Sequence, residues 1–159
     1  NSKIMTHNQP LNATTLFLIR HAEKLDDTKN TTLSAEGFER AEFWKNYFKD
    51  TKIDSFYSSG FQRARRTCQP MAFERDQPVN IYKNHQMDLK KIIEKNKGKT
   101  ILIVGHSNRI PTFINTLLGQ EKYPEITEPE FGNLYIIKEI DGEISSQLIV
   151  PKKEENASV

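Results

Sequence analysis

Short apolar runs alternate along this chain with segments whose apolar residues recur at helical spacing. The runs at 15–19, 53–57, 79–82 and 100–105 predict strands, and the first and last of them are continuous enough to be buried on both faces. Helices are predicted at about 35–50, 61–73, 88–96 and from Pro111 to about 118. Two final runs, 134–140 and 144–149, flank Asp141-Gly142 and predict a hairpin.

Strands that alternate with helices and end in a hairpin indicate an α/β protein. We expect a three-layer α/β/α sandwich with a mostly parallel sheet and an antiparallel C-terminal hairpin. The length predicts a single domain at 15–150, preceded by a flexible lead-in at 1–14 and followed by a disordered tail at 151–159.

Two details of the helices are expectations that the structure can test. Ser34 is the predicted N-cap of the first helix, whose stripe of Phe38, Ala41, Trp44 and Phe48 should face the core. Pro70 should kink the second helix or end it early, because proline lacks the N–H that a helix interior needs.

Composition narrows the classes of function. The 159 residues carry a net charge of +2 with the two signs interleaved, which disfavours nucleic acid as a partner. Cys68 is the single cysteine, so an intramolecular disulfide and a cysteine-based zinc site are excluded, and no apolar run reaches the length of a membrane span. The sequence starts at Asn1 rather than Met, which favours an exported or periplasmic mature chain over a cytoplasmic one.

Four side chains that suit phosphate chemistry follow predicted strands. Arg20 and His21 end the first, Arg63 follows the second and His106 follows the fourth. Since ligands of parallel sheets bind beyond the carboxyl ends of the strands, these groups should converge on one crevice. Arginine donates paired hydrogen bonds to phosphate oxygens and stays charged, so the crevice suits a phosphoryl group.

The two histidines suit different parts of phosphoryl transfer. A neutral imidazole can attack phosphorus, and His21 is the predicted nucleophile. His106 would be most useful protonated, donating to oxygens on which charge develops. Backbone amides near Ser107 and Asn108, at the start of the next helix, should add donors.

The ordered motifs also resemble a known family. LFLIRHAEK at 16–24, LSAEG at 33–37, FYSSGFQRARRTCQP at 56–70 and VGHSNRIP at 104–111 resemble segments of the histidine phosphatase superfamily, the phosphoglycerate mutase-like enzymes. Ala22 stands where the usual Arg-His-Gly signature has glycine. The short segment at 74–99 resembles the small bacterial phosphohistidine phosphatase-like branch.

The resemblance implies functions for individual residues. It implies phosphate binding by Arg20, Arg63 and His106, a covalent phosphohistidine on His21, and no metal or other cofactor. It leaves the proton donor open, because Ser107 stands where some branches have an aspartate. Glu23 and Asp88 are the main candidates, with a structural carboxylate and a helix N-cap as their respective alternatives, and His85 is a third.

We therefore expect a phosphatase that acts on a phosphorylated small molecule or a phosphohistidine protein, without nucleic acid or membrane partners. A phosphoglycerate mutase-type transferase and a non-catalytic module that binds phosphorylated ligands are the alternatives. The short segment at 74–99 disfavours the mutase. The sequence specifies no oligomeric state.

Overall fold

Six strands and four helices alternate along the residues that the computed structural model describes, which are 12–83, 86–153 and 157. The strands are β1 (Thr14–Arg20), β2 (Ser55–Ser59), β3 (Val79–Tyr82), β4 (Thr100–Gly105), β5 (Leu134–Ile140) and β6 (Glu143–Ile149). The helices are α1 (Ala35–Tyr47), α2 (Gln62–Glu74), α3 (Leu89–Lys95) and α4 (Ile110–Leu118). The predicted order of elements is confirmed.

The strands form one sheet in the order β3-β2-β4-β1-β5-β6. The first four are mutually parallel, whereas β5 pairs antiparallel with β1 and β6 antiparallel with β5. This confirms the predicted mixed sheet with an antiparallel C-terminal hairpin. It also makes β1, β4 and β2 direct neighbours, so their carboxyl ends share one edge.

Helices cover both faces of the sheet, as predicted. On β1, Phe17 and Ile19 belong to the apolar cluster that contains α1 and α2 residues, whereas Leu16 and Leu18 belong to the cluster that contains α3 and α4 residues. All four side chains are almost fully buried. A strand covered on both sides needs apolar residues at every position, which is why the run at 15–19 is continuous.

Helix α1 agrees with the prediction at its cap and at Ala41, Trp44 and Phe48, which are buried, but not at Phe38. The Ser34 hydroxyl accepts a hydrogen bond from the Gly37 amide at 3.1 Å. Phe38, predicted to be in the core, is 43% exposed, so that prediction is wrong. The inward position belongs to Gly37, where a Cβ would collide with the carbonyl oxygen of Glu23.

Pro70 does not end α2 early, so that part of the prediction is wrong. The helix continues through Pro70 to Glu74. Cys68, Met71 and Ala72 are buried on either side of the proline. Their burial against the sheet offsets the missing hydrogen bond, because the packing of the apolar face supplies most of a helix's stability.

The last two strands, β5 and β6, form the predicted hairpin. Asp141 and Gly142 both have positive φ, 51° and 86°, as two-residue hairpin turns require. Within the segment predicted to be disordered, the Ala157 amide donates to the Tyr47 carbonyl at 2.8 Å. Residues 1–11 of the predicted lead-in lie outside the described residues.

The four helices do not resemble membrane-spanning segments. Within the described ranges, none has both the length and the apolar character needed to cross a lipid bilayer.

Candidate active site

The ends of three neighbouring strands bring the two predicted histidines together. His21 follows β1 and His106 follows β4, and their ring centroids lie 5.2 Å apart. The His21 amide donates to the Gly105 carbonyl at 2.9 Å, which extends the pairing of the two strands as far as the site. Ser59, the last residue of β2, contacts His106 from the other side. The predicted convergence of the strand ends is therefore present in the structure.

The surroundings of His21 leave it neutral with one free nitrogen. Its Nδ1 lies 2.8 Å from the Ala22 carbonyl, and because a carbonyl can only accept, Nδ1 carries the proton. The lone pair is then on Nε2. Burial lowers the His21 pKa to about 3, helped by the charges of His106, Arg20 and Arg63 and opposed by the hydrogen bond to Ala22. The ring thus keeps its nucleophilic form down to acidic pH.

His106 is held differently. Its Nε2 lies 2.7 Å from the Ser59 hydroxyl, and the edge of the Phe61 ring packs beside it. Burial lowers the His106 pKa to about 4, assisted by Arg63, Arg20 and Arg109. The protein's own groups therefore favour a neutral His106, contrary to the expectation that it is protonated. An anion bound between the arginines would offset their charges and raise this pKa again.

Arg20 is anchored to a distant loop. Its Nη1 donates to the carbonyls of Thr127, Glu128 and Glu130 at 3.2, 2.9 and 2.9 Å. The guanidinium carbon lies 3.9 Å from the centroid of the Phe131 ring, within the range of a cation–π contact. Arg20 is 3% exposed, so the loop fixes the position of a buried charge.

Arg63 is held more loosely, yet the two arginines share one feature. Its Nη1 donates to the Lys29 carbonyl at 3.0 Å, and its guanidinium carbon lies 4.6 Å from the Phe61 ring centroid. The Nε atoms of Arg20 and Arg63 are both buried, and neither has a hydrogen-bond partner among the described residues. Two charged donors without partners beside two neutral imidazoles suit a tetrahedral oxyanion.

Thr67 connects the two halves of the predicted phosphate pocket. Its hydroxyl donates to the Arg63 carbonyl at 2.7 Å and accepts from the Ala22 amide at 2.8 Å. The hydroxyl therefore joins α2 to the backbone next to His21. Sequence reasoning assigned Thr67 no function, although it stands one helical turn after Arg63 in the Arg-Ala-x-x-Thr motif, where its side chain returns to the same face.

Ser59 and Phe131 were also missed. Ser59 gave a weak signal, since it ends a strand just before the turn that leads to Arg63. Phe131 gave none, because it lies outside the regular elements and contacts Arg20 only through the fold.

Glu23, a predicted proton donor, is engaged in an ion pair. Its two carboxylate oxygens accept from Arg40 Nε at 3.0 Å each, and Arg40 Nη2 donates to Oε2 at 2.9 Å. The Glu23 carbonyl accepts from the Ser34 amide at 3.0 Å. These contacts fasten the loop after His21 to α1, which favours the structural alternative for Glu23.

The other predicted site residues lie towards α3 and α4. Asp88 is the N-cap of α3, and its Oδ1 accepts from the amides of Lys90 and Lys91 at 3.0 and 3.3 Å. Ser107 is half-buried, and its carbonyl accepts from the Ile126 amide at 3.1 Å. His85, the third possible donor, lies outside the described residues.

Neither a reactive thiol nor a cluster of possible metal ligands is found among the described residues. Cys68 is buried in α2, and burial raises the pKa of its thiol to about 12. Within the described ranges, no three histidine, cysteine or carboxylate side chains come together as metal ligands would.

Comparison with known proteins agrees with the motifs. Residues 16–86 match the family model of the histidine phosphatase superfamily (branch 1). The resemblance to this superfamily is confirmed. The matched stretch contains Arg20, His21 and Arg63, whereas His106 lies beyond it. No curated protein matches the chain.

Solved structures of similar fold cover most of the chain. A phosphoserine phosphatase variant from Entamoeba histolytica in complex with phosphoserine has a TM-score of 0.69 at 19% identity, covering 84% of this chain and 94% of its own. The alpha-ribazole phosphatase from Shigella flexneri has a TM-score of 0.68 at 18% identity, with coverages of 91% and 100%. The protein histidine phosphatase SixA complexed with tungstate has a TM-score of 0.65 at 16% identity, with coverages of 86% and 96%. The predicted phosphoglycerate mutase-like fold is confirmed.

Proposed function

We propose that the protein is a phosphatase that hydrolyses phosphomonoesters or phosphohistidine through a covalent phosphohistidine on His21. One observation carries the proposal. A buried, neutral imidazole with its Nε2 free stands beside the guanidinium groups of buried Arg20 and half-buried Arg63, each with a buried Nε donor that has no partner among the described residues.

The proposed reaction has two displacements. His21 Nε2 attacks phosphorus, a P–N bond forms, and the bond to the leaving group breaks with its electron pair going to the leaving atom. Water then attacks the phosphohistidine, which releases inorganic phosphate and restores the imidazole. Arg20, Arg63 and His106 stabilise the equatorial oxygens in both steps, and the Ser107 amide is a further proposed donor.

The chemistry of the structural neighbours supports a hydrolase. The three described above are named as a phosphoserine phosphatase, an alpha-ribazole phosphatase and a protein histidine phosphatase. The segment between β3 and β4 supports the same choice, because α3, the one α-helix among its described residues, has seven residues and offers little structure for mutase-type transfer. The neighbours differ in substrate, so they do not favour one phosphorylated compound.

Turnover of p-nitrophenyl phosphate with inhibition by vanadate tests this proposal. Arg63→Gln should lower kcat/KM by about 10² to 10³, the range for losing one positioned oxyanion donor. Arg66→Gln is a matched control, because Arg66 is exposed on the same helix. Absence of turnover in the wild-type protein, or equal losses in the two variants, would contradict the proposal.

The proton donor needs its own experiment. The ion pair of Glu23 with Arg40 makes Asp88 the better remaining candidate, although its N-cap bonds explain it equally well. Asp88→Asn keeps a good N-cap but cannot donate a carboxyl proton. A loss of about 10² or more in ester hydrolysis would assign the donor to Asp88, and an unchanged rate would leave it a helix cap.

A further inference from the structure

A groove between α3 and α4 adjoins the candidate site. It has a volume of about 900 Å³, and Met87, Leu89, Phe113 and Leu117 contribute its apolar lining. Both helices begin at the carboxyl edge of the sheet and pack on the same face, and the groove includes the start of each, so one end of it lies near the edge that holds the histidines.

Positive charge lines one part of this groove. Lys90, Lys91 and Arg109 are exposed along it, and none forms an ion pair with a described residue. Asp88 is the one carboxylate among the described lining residues, and it is occupied by the amides at the start of α3. A chain with a net charge of only +2 thus concentrates unpaired cations beside its candidate site.

Arg109 links the groove to the histidines. Its amide donates to the His106 carbonyl at 3.1 Å, and its charge contributes to the lowered pKa of His106. From Arg109 the lining continues along α4 to Leu117, which is about 12 Å at the helical rise per residue. An occupant that begins at the phosphoryl group can therefore pass the first turn of α3 and continue along α4.

We propose that this groove binds an acidic, partly apolar peptide segment that flanks the phosphorylated residue of a protein substrate. The proposal rests on the proposed function, since it names the substrate class of the same site. The length of about 12 Å suits three or four extended residues. Alternating acidic and apolar side chains would place carboxylates against Lys90, Lys91 and Arg109, and apolar groups against the apolar lining of the groove.

A binding assay tests the proposal without relying on turnover. The probe is a fluorescein-labelled peptide of alternating glutamate and leucine, compared by fluorescence anisotropy with one in which lysine replaces glutamate. The full chain should bind the acidic probe more tightly than the lysine probe. Salt should weaken this binding, because the lysine and arginine side chains of the groove are exposed. Equal binding of the two probes would overturn the proposal.

Charge reversal then locates the binding. Lys90→Glu/Lys91→Glu should weaken the acidic probe by about tenfold, since two attractions become repulsions. The matched control is Lys49→Glu/Lys95→Glu, which makes the same change in net charge at exposed positions outside the groove. Equal weakening by the two variants would show non-specific attraction and overturn the assignment.

Kinetics extend the test to substrates. Phosphoserine peptides flanked by glutamate should have a higher kcat/KM than peptides flanked by lysine, and the ratio should approach one in Lys90→Glu/Lys91→Glu. A ratio of one in the wild-type protein would overturn the inference. If the protein hydrolysed no phosphorylated compound, the proposed function would fail, and the binding assay would still decide whether the groove takes an acidic segment.

Discussion

The ends of β1 and β4 lie side by side and each carries a buried histidine, yet they hold the ring in opposite ways. At the end of β1, a backbone carbonyl fixes Nδ1 of His21 as a donor and leaves Nε2 unoccupied. At the end of β4, the hydroxyl of Ser59 lies against Nε2 of His106. A hydroxyl can donate or accept, so it tolerates both protonation states of His106, whereas the carbonyl selects one tautomer for His21.

The comparison shows how one sheet edge can supply two chemical functions. Burial and the neighbouring cations lower the pKa of both histidines, to about 3 for His21 and about 4 for His106. Their hydrogen bonds are what differ. The proposed division into a nucleophile and a phosphate ligand therefore depends on one carbonyl and one hydroxyl, and single substitutions can test it.

Removal of each imidazole should give the largest contrast. His21→Gln should lower kcat for p-nitrophenyl phosphate by about 10⁴ or more, because a covalent route is lost. His106→Gln should cost about 10² to 10³, the loss of one charge-stabilising donor. A smaller loss for His21→Gln than for His106→Gln would reverse the proposed functions.

Thr67→Val should lower both stability and turnover by disturbing the backbone at the end of β1. Valine keeps the shape but cannot bridge the Ala22 amide and the Arg63 carbonyl, so the free energy of unfolding should fall by about 1–3 kcal/mol. The backbone next to His21 then loses the hydrogen bond that holds it in place. We therefore expect kcat to fall by about tenfold, an effect comparable to one net hydrogen bond. Denaturant unfolding and p-nitrophenyl phosphate turnover measure the two effects. Unchanged turnover in a destabilised variant would limit Thr67 to a structural function.

Ser59→Ala should affect His106, at the end of β4, and should lower kcat less than Thr67→Val does. Loss of the hydrogen bond to His106 should lower kcat by about five- to tenfold and shift the limb of the pH profile that reports His106. Ser58→Ala is the matched control, because the Ser58 hydroxyl donates to the Ser59 carbonyl at 2.8 Å and is equally buried. The same pH profile in the two variants would argue against a positioning function for Ser59.

The pH dependence of stability tests the lowered pKa of His21 separately from turnover. A histidine whose pKa is lower in the folded state than the ordinary value of 6.5 binds its proton more readily when unfolded. It therefore contributes stability above pH 6.5 that is lost as the pH falls towards the folded pKa of about 3. Denaturant unfolding should give a shallower loss between these values for His21→Gln than for the wild-type protein. Parallel curves would contradict the lowered pKa.

The parts of this site that sequence reasoning could predict depend on local pattern. The apolar runs before His21 and His106 placed both residues at strand ends, and topology then brought them to one edge. The contacts of Arg20 with Phe131 and with the carbonyls of Thr127, Glu128 and Glu130 could not be predicted, because backbone acceptors in a loop carry no side-chain signal. Phe38 was misplaced for a related reason, since Gly37 takes the inward position through close backbone contact with Glu23.

The central claim is that His21 carries the phosphoryl group, and trapping the intermediate tests it most directly. The protein is mixed with a labelled phosphoryl donor, quenched in alkali, which preserves phosphohistidine, and its peptides are mapped by mass spectrometry. The account predicts a phosphoryl group on His21 in the wild-type protein and none in His21→Gln, with His106→Gln still labelled at His21. A label on His106, or one that persists in His21→Gln, would contradict the account.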